Sequence, residues 1–326
     1  MVASAVNSVI ESLLEIIAVE PLPSAHTSSL WERYGREMIV QRHGDQLILQ
    51  TSGFDAVPRM SIRGRTMHLV ERLSYLFVTS KLRYYRHVWR VAKPLAREIS
   101  GGRNFNVTVF RSACALAVLA DHWTTFGLSP RTFALIGDGS GFLGALIRRW
   151  EPNSQLYCID LPKTLIFQAH LHEMVDRKAT MSLCATGKIG NRGRTTNITF
   201  VLPQDIEHIP GQIDCAINIM GMQEMPEFSV ASYFAFLRRR SMPHSRFYCV
   251  NESRRKMPGN DGVNFADYPW QENDEIFVDG SCPYFTHFFA RSTLPDGPRI
   301  LCMRVPFVNY FDSVLKHRLV HLAPAQ

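Results

Sequence analysis

The chain has 326 residues, a net charge of +7, 46% hydrophobic and 20% charged residues. This length supports a full core, and the composition is ordinary for a soluble globular protein. No apolar run approaches the roughly 20 residues of a membrane span, so a soluble, cytoplasmic protein is expected. The N-terminal stretch carries Glu11 and Glu15 and has no basic leader, which argues for a helix rather than a signal peptide.

The seven cysteines are scattered, with no CxxC pair. Cys158, Cys215, Cys249 and Cys302 lie in apolar, strand-like runs and are expected as buried reduced thiols. No metal site is expected, because no ligands cluster. Between Arg59 and Arg103 the cations Arg63, Arg65, Arg72, Lys81, Arg83, Arg86, Arg90, Lys93 and Arg97 face only Glu71 and Glu98. Such a run is a solvated helix face or an attraction for an acidic partner. No zinc-finger or RNP pattern supports nucleic acid.

In chain order, Val6, Val9, Ile10, Leu13, Leu14 and Ile17 mark one face of an amphipathic helix ending before Pro21. Leu30 to Val40 has helical spacing, and Gln46 to Thr51 reads as a short strand. Thr66 to Ile99 reads as one or two helices broken near Pro94, and Gly101-Gly102 follows as a joint. Residues 1–105 are therefore expected to form a mainly helical segment, which caps the site or mediates dimerisation, and residues 106–326 a second domain.

From Val107 onward strands alternate with helices. An alanine-rich helix, Phe110–Phe126, leads into strands at Thr132–Ile136, Gln155–Asp160, Thr199–Leu202, Ile213–Met220 and Arg246–Asn251. Helices are expected at Phe142–Trp150, Thr164–Arg177 and from Pro226 to Arg240. Late strands are expected at Ile276–Val278 and Ile300–Val305, and a last helix at Tyr310–Leu319. The alternation argues for an α/β, Rossmann-like, mostly parallel sheet.

Phe133 to Gly144, FALIGDGSGFLG, is the most informative segment. An apolar strand runs into glycines and a helix, and the next strand ends at Asp160. Glycines let backbone approach a nucleoside-containing ligand, and an acid at the second strand's end accepts from ribose hydroxyls. Gly139, Gly141 and Gly144 satisfy G-x-G-x-x-G, which fits a nicotinamide dinucleotide. Gly137, Gly139 and Gly141 satisfy G-x-G-x-G, which fits S-adenosylmethionine (SAM). The long preceding helical segment, polar groups after strand four and late strands in the manner of a methyltransferase sheet, one of them antiparallel, tip the reading to SAM.

Four short segments then carry a resemblance. Asp160-Leu161-Pro162-Lys163-Thr164-Leu165, Gln223-Glu224-Met225, Phe247-Tyr248-Cys249-Val250-Asn251 and Tyr268-Pro269-Trp270 together resemble the sugar O-methyltransferase family, within the class I SAM-dependent methyltransferases, over roughly Thr132 to Pro283. Leu135 stands where such enzymes often place an acid, and Lys163 replaces the family's Glu.

The resemblance implies methyl transfer from SAM to a hydroxyl of a sugar or glycoside. Gly137, Asp138, Gly139, Gly141 and Asp160 would hold the cofactor, with Asp205 near the adenine. Glu224 leads as the catalytic base, with His287 second. Gln223, Asn251, Tyr268 and Trp270 are candidates to line the acceptor pocket. His170 and His172 read as partly exposed helix residues. The alternatives are an NAD-dependent oxidoreductase and an inactive methyltransferase-like binding protein.

Overall fold

The computed structural model describes residues 3–19, 28–43, 46–50, 79–100, 107–176, 178–185, 188–189, 196–254, 263–284, 299–300, 303–304 and 315–325. The first elements are helices α1 (Ala3–Val19) and α2 (Ser29–Glu37) and the hairpin β1 (Ile39–His43) and β2 (Gln46–Gln50). Ser28 caps α2, its side chain accepting from the Trp31 amide. Helix α3 (Tyr85–Ser100) contains Pro94 without breaking there. Arg90 and Pro94 both lie on its exposed face, where solvent can serve the carbonyl that a proline cannot. Arg86, Arg90 and Arg97 share that exposed face, whereas residues 59–72 of the basic run lie outside the described residues.

Helix α4 (Val107–Thr125) ends at Gly127, whose φ of 64° suits a left-handed cap. Then follow β3 (Thr132–Ile136), α5 (Phe142–Trp150), β4 (Gln155–Ile159), α6 (Pro162–Val175), β5 (Met181–Ala185), β6 (Lys188–Ile189) and β7 (Ile198–Val201). The remaining elements are β8 (Cys215–Ile219), α7 (Glu227–Arg239), β9 (Arg246–Glu252), β10 (Glu275–Ser281), β11 (Arg299–Ile300), β12 (Met303–Arg304) and β13 (Leu315–His321).

Nine strands form one sheet in the order β10-β13-β9-β8-β3-β4-β7-β5-β6. The centre is parallel from β9 to β5. β13 runs antiparallel to both β9 and β10, and β6 antiparallel to β5. This is a Rossmann-like, mixed α/β fold. Central strands are buried throughout, Phe133 to Ile136 and Leu156 to Ile159 each below 8% exposed, as a sheet covered on both faces requires.

Three expectations are corrected. The described part of the strand expected at Ile300–Val305 is not in the main sheet: Arg299–Ile300 and Met303–Arg304 pair with each other as a separate two-stranded sheet. The late antiparallel strand is instead Leu315–His321, where a helix was expected. Leu315, His317 and Leu319 are buried while Lys316 and Arg318 are partly exposed, a period of two that excludes a helical stripe. Strand β5 and the edge strand β6 beside it were not anticipated at all.

One apolar cluster runs from Val9, Ile10 and Leu13 of α1 through Val88, Ala92 and Leu95 of α3 into α4 and the sheet face carrying Leu135 and Ile217. The N-terminal helices thus share a core with the sheet, across the boundary expected near residue 105. A second cluster covers the other face with Ala134, Ile136, Phe234 and Phe247. Cys158, Cys215 and Cys249 are buried free thiols, and Cys302 lies outside the described residues. Among the described residues, no helix is long and apolar enough to cross a membrane.

Candidate functional site

The site lies where β3, β4 and β8 end, at the carboxyl edge where open α/β sheets place their ligands. Gly137, Gly139 and Gly141 have φ of 72°, 59° and 84°. All three are in the left-handed region that side chains disfavour. At Gly141 a Cβ would also lie 3.0 Å from the Cα of Gln168. The loop therefore needs its glycines for backbone shape, and at Gly141 for contact with α6 as well.

Asp138 turns its carboxylate onto the start of α5, accepting from the amides of Leu143 (3.3 Å) and Gly144 (2.8 Å). Burial raises its pKa to about 7, against the lowering effect of those two bonds. Asp160 accepts at Oδ1 from the Leu161 amide (2.8 Å) and at Oδ2 from Gly139 N (3.4 Å) and Gln168 Nε2 (2.9 Å). Burial raises Asp160 to about 7 as well; its amide donors oppose this, and the charge of Asp138 adds to it. Asp160 thus sits against the glycine loop.

A cleft of about 160 Å³ opens between α4 and the strand ends, lined by Thr108, Arg111 and Ser112 and by Leu135, Gly137, Asp138, Ile217 and Met220. Met220 has φ of 59°, a strained state for a side-chain residue. Such strain concentrates at binding sites.

Behind the cleft the strand ends are joined by buried amides. Asn218 Nδ2 donates to Ile136 O (2.7 Å), and its Oδ1 accepts from Met222 N (3.1 Å) and Asn251 Nδ2 (2.8 Å). Asn251 Oδ1 accepts from Gln223 N (3.1 Å), and Gln223 Oε1 accepts from Glu252 N (2.7 Å). Gln223 and Asn251 are fully buried in this network and do not line the cleft. Their amides hold β8, β9 and the following turn in register, a framework position rather than the acceptor-facing one expected.

Tyr268 and Trp270 pack with Phe234 and Phe247 on the opposite sheet face from the cleft. Trp270 Nε1 donates to Phe265 O (2.9 Å), and the Arg318 guanidinium lies 4.6 Å from its ring centroid. The Tyr268 hydroxyl is buried without a hydrogen-bond partner among the described residues. These two aromatics therefore belong to the core, and they do not meet the glycine loop's cleft. Asp205 is buried in the turn after β7, its Oδ1 3.6 Å from His208 Nδ1. Glu224 ends the turn after β8, partly buried, its amide donating to Gly221 O (3.0 Å). His287 lies outside the described residues.

Two surprises concern α6. His172, expected to be partly exposed, is fully buried with neither ring nitrogen bonded among the described residues, and burial lowers its pKa to about 4. Gln168, not singled out in the sequence, touches both the loop and its acid. Thr164, Gln168 and His172 recur every four residues as the polar members of the helix's buried face, the signal that was available for both. Arg111 was also missed, although it is the sole Arg or Lys of α4. Lys163 donates to Gly35 O (2.5 Å) and Met38 O (3.2 Å), tying α6 to the end of α2. Among the described residues no group of three or more His, Cys, Asp and Glu is placed to hold a metal ion.

No protein-family model and no curated protein matches the chain. Among solved structures it is similar to TehB from Haemophilus influenzae, at 11% identity over 71% of this chain and 67% of that one, with a TM-score of 0.43. It is also similar to the pyocyanin biosynthetic protein PhzM, at 12% identity over 66% of this chain, with a TM-score of 0.37; the match spans only 58% of PhzM's length. A third is magnesium protoporphyrin IX methyltransferase (ChlM) from Synechocystis PCC 6803 with bound SAM, at 12% identity over 71% of this chain and 90% of that one, with a TM-score of 0.38.

Proposed function

We propose that this chain is a SAM-dependent O-methyltransferase acting on a hydroxyl of a sugar or glycoside. The observation that carries the reading is the pairing of the three left-handed glycines with Asp160 in a sheet that slots antiparallel β13 between β9 and β10. A dinucleotide-binding sheet places its sixth strand directly beside the fifth, with no such insertion.

The residues fit the cofactor. A side chain at Gly137 or Gly141 would be strained on the ligand-facing loop, and Asp160 holds its carboxylate at the loop's centre. Gly137, Gly139 and Gly141 would bring backbone amides close, Asp160 would accept from ribose hydroxyls, and buried Asp205 would lie towards the adenine. When bound, SAM would supply a methyl group on a sulfonium sulfur. The chain's part would be to hold an acceptor hydroxyl in line with that methyl group and to take the hydroxyl proton as the methyl is transferred. Glu224, one turn beyond β8, is assigned as the base, which would add about 10²–10⁴-fold; His287 is the second candidate. The sugar or glycoside as acceptor rests on the resemblance of the four sequence segments.

One observation favours the rival NAD reading. A Cβ on Gly144 would meet Leu135 Cδ1 at 2.9 Å, the close helix–strand packing that the third glycine of G-x-G-x-x-G provides. Calorimetry with SAM, S-adenosylhomocysteine and NAD separates the two. Micromolar binding of SAM that is lost in Asp160→Ala supports the proposal, and binding of NAD without SAM overturns it. Binding of none of the three assigns the fold an inactive, non-enzymatic role.

A further inference from the structure

Helix α3 carries a cationic stripe outside the glycine-loop site. Arg86, Arg90, Lys93 and Arg97 stand at i, i+4, i+7 and i+11, so they share one face of the helix over about 16 Å. Arg86, Arg90 and Arg97 are exposed and Lys93 is partly exposed. None of the four lines the cleft. We infer that this stripe docks the protein on an anionic lipid surface, its guanidinium and ammonium groups meeting headgroup phosphates and carboxylates.

Charge supports the assignment. Glu98 is the only acid of α3, and it already accepts from Arg149 of α5 at 2.7 Å. Just before the helix, Arg83 faces Asp121 at 3.9 Å. No acid among the described residues pairs with Arg86, Arg90 or Lys93. The stripe therefore sets like charges three and four residues apart along its whole length, an arrangement that weakens a helix on its own. An anionic surface removes that repulsion.

Shape favours a lipid surface over a nucleic acid. Helix α3 packs on α4, α5 and α6, and Val88, Ala92, Leu95 and Ala96 bury its opposite face. A helix held flat in this way offers its stripe to a plane, and does not protrude as a helix that enters a groove must. Tyr85 and Trp89 stand beside the stripe, partly buried and stacked with ring centroids 5.7 Å apart. Such amphipathic rings next to Arg and Lys suit the level of lipid headgroups.

The test is cosedimentation of the full chain with vesicles of equal parts phosphatidylserine and phosphatidylcholine, and with vesicles of phosphatidylcholine alone. Binding is expected to the first and not to the second, and it should weaken as added salt screens the attraction. Arg86→Gln with Arg90→Gln removes two exposed cations and leaves the buried face intact. This variant should melt no lower than the wild type, yet lose affinity for the anionic vesicles by on the order of twentyfold, about fivefold per cation. Arg239→Gln with Arg240→Gln removes the same charge from the end of α7, which covers the other face of the sheet, and should bind as the wild type does. Equal losses in the two double variants would mean that net charge alone drives binding, and would overturn the docking face. It is overturned as well by equal binding to both vesicle types, by binding to neither, or by binding of duplex RNA or heparin without binding of vesicles.

Discussion

Gln168 reaches from α6 to Asp160 with a 2.9 Å bond from Nε2 to Oδ2, and the same residue's Cα underlies Gly141. One fully buried side chain thus sets both the orientation of the acid and the floor of the loop. The bond favours the ionised acid, opposing the burial that raises Asp160 to about 7. Gln168→Met keeps the volume and removes the donor. Asp160 then holds its proton to higher pH, so the midpoint of SAM binding against pH should move upward, with affinity at neutral pH falling by on the order of tenfold. Calorimetry across a pH series reads the shift, and an unmoved midpoint would show that Gln168 only fills space.

Gly141 and Gly127 separate backbone strain from steric contact. Both have positive φ, but a Cβ at Gly127 meets nothing within 4 Å, whereas at Gly141 it meets Gln168 at 3.0 Å. Gly127→Ala should cost about 1 kcal/mol of stability from conformation alone. Gly141→Ala should cost about 1–3 kcal/mol more from overpacking. Urea denaturation of the two variants measures the difference, and equal losses would remove the contact argument.

Lys163 fastens the N-terminal segment to the site through its bonds to Gly35 O and Met38 O at the end of α2. Lys163→Met should leave residues 28–43 more open without unfolding the sheet. Hydrogen exchange read by peptide should rise over that segment and stay constant over β3 and β4. Uniform exchange in wild type and variant would mean that packing alone holds α2.

Where apolar periodicity was strong, elements were legible in the sequence to within a residue or two, as at Thr132–Ile136 and Phe142–Trp150. The glycine loop was legible because only glycine tolerates its φ values. β13 was not, because a run with Lys316 and Arg318 among apolar residues fits either period until burial decides it. Residue types alone did not separate network from pocket. Gln223 and Asn251 have the chemistry of ligand-binding amides, yet contacts up to 33 residues apart in sequence spend that chemistry on strand ends. Gln168 and Arg111 escaped notice for the reverse reason. Each is one of several polar residues in its helix, and only the fold sets it apart by bringing it to the loop or to the cleft beside it.

His172 carries a cost that acid should reveal. Its pKa falls from 6.5 to about 4 in the fold because burial penalises the imidazolium. The folded state therefore binds fewer protons than the unfolded chain between these values, and stability is lost as pH drops from about 6.5 towards 4. Asp176 opposes that lowering and Arg148 adds to it. His122 titrates in the same direction, lowered to about 4 by burial and by Arg246. Asp138 and Asp160 oppose them, because their raised values stabilise the fold at low pH. His172→Leu removes one acid-sensitive group and two unpaired nitrogens, so thermal unfolding at pH 5 should shift up by a few degrees, more than at pH 8. A larger gain at pH 8 would contradict the burial argument.

Arg238 and Asp274 form the most deeply buried ion pair among the described residues, side chains 5% and 1% exposed. Arg238 Nη1 and Nη2 donate to Oδ1 (2.6 Å) and Oδ2 (2.8 Å) of Asp274, and also to the carbonyls of Ala323 and Pro269. The pair thereby ties α7 to the loop before β10 and to the chain after β13. Burial alone would raise the Asp274 pKa, but the Arg238 bonds and the amides of Gln271 and Ala323 outweigh it and hold the carboxyl below its usual range. A depressed acid contributes stability above its unfolded pKa and loses it as pH falls through the folded value. Arg238→Met strands a buried carboxylate and should cost about 3–5 kcal/mol at pH 7. Lowering the pH protonates that carboxylate, so the gap between wild type and variant should narrow. Arg238→Met with Asp274→Leu removes both charges and should recover most of the loss, because paired apolar replacements are often neutral. Denaturant unfolding of the single and double variants at pH 7 and pH 4 completes the cycle. A double variant as unstable as the single would place the cost in the lost carbonyl bonds to Ala323 and Pro269 rather than in the unpaired charge.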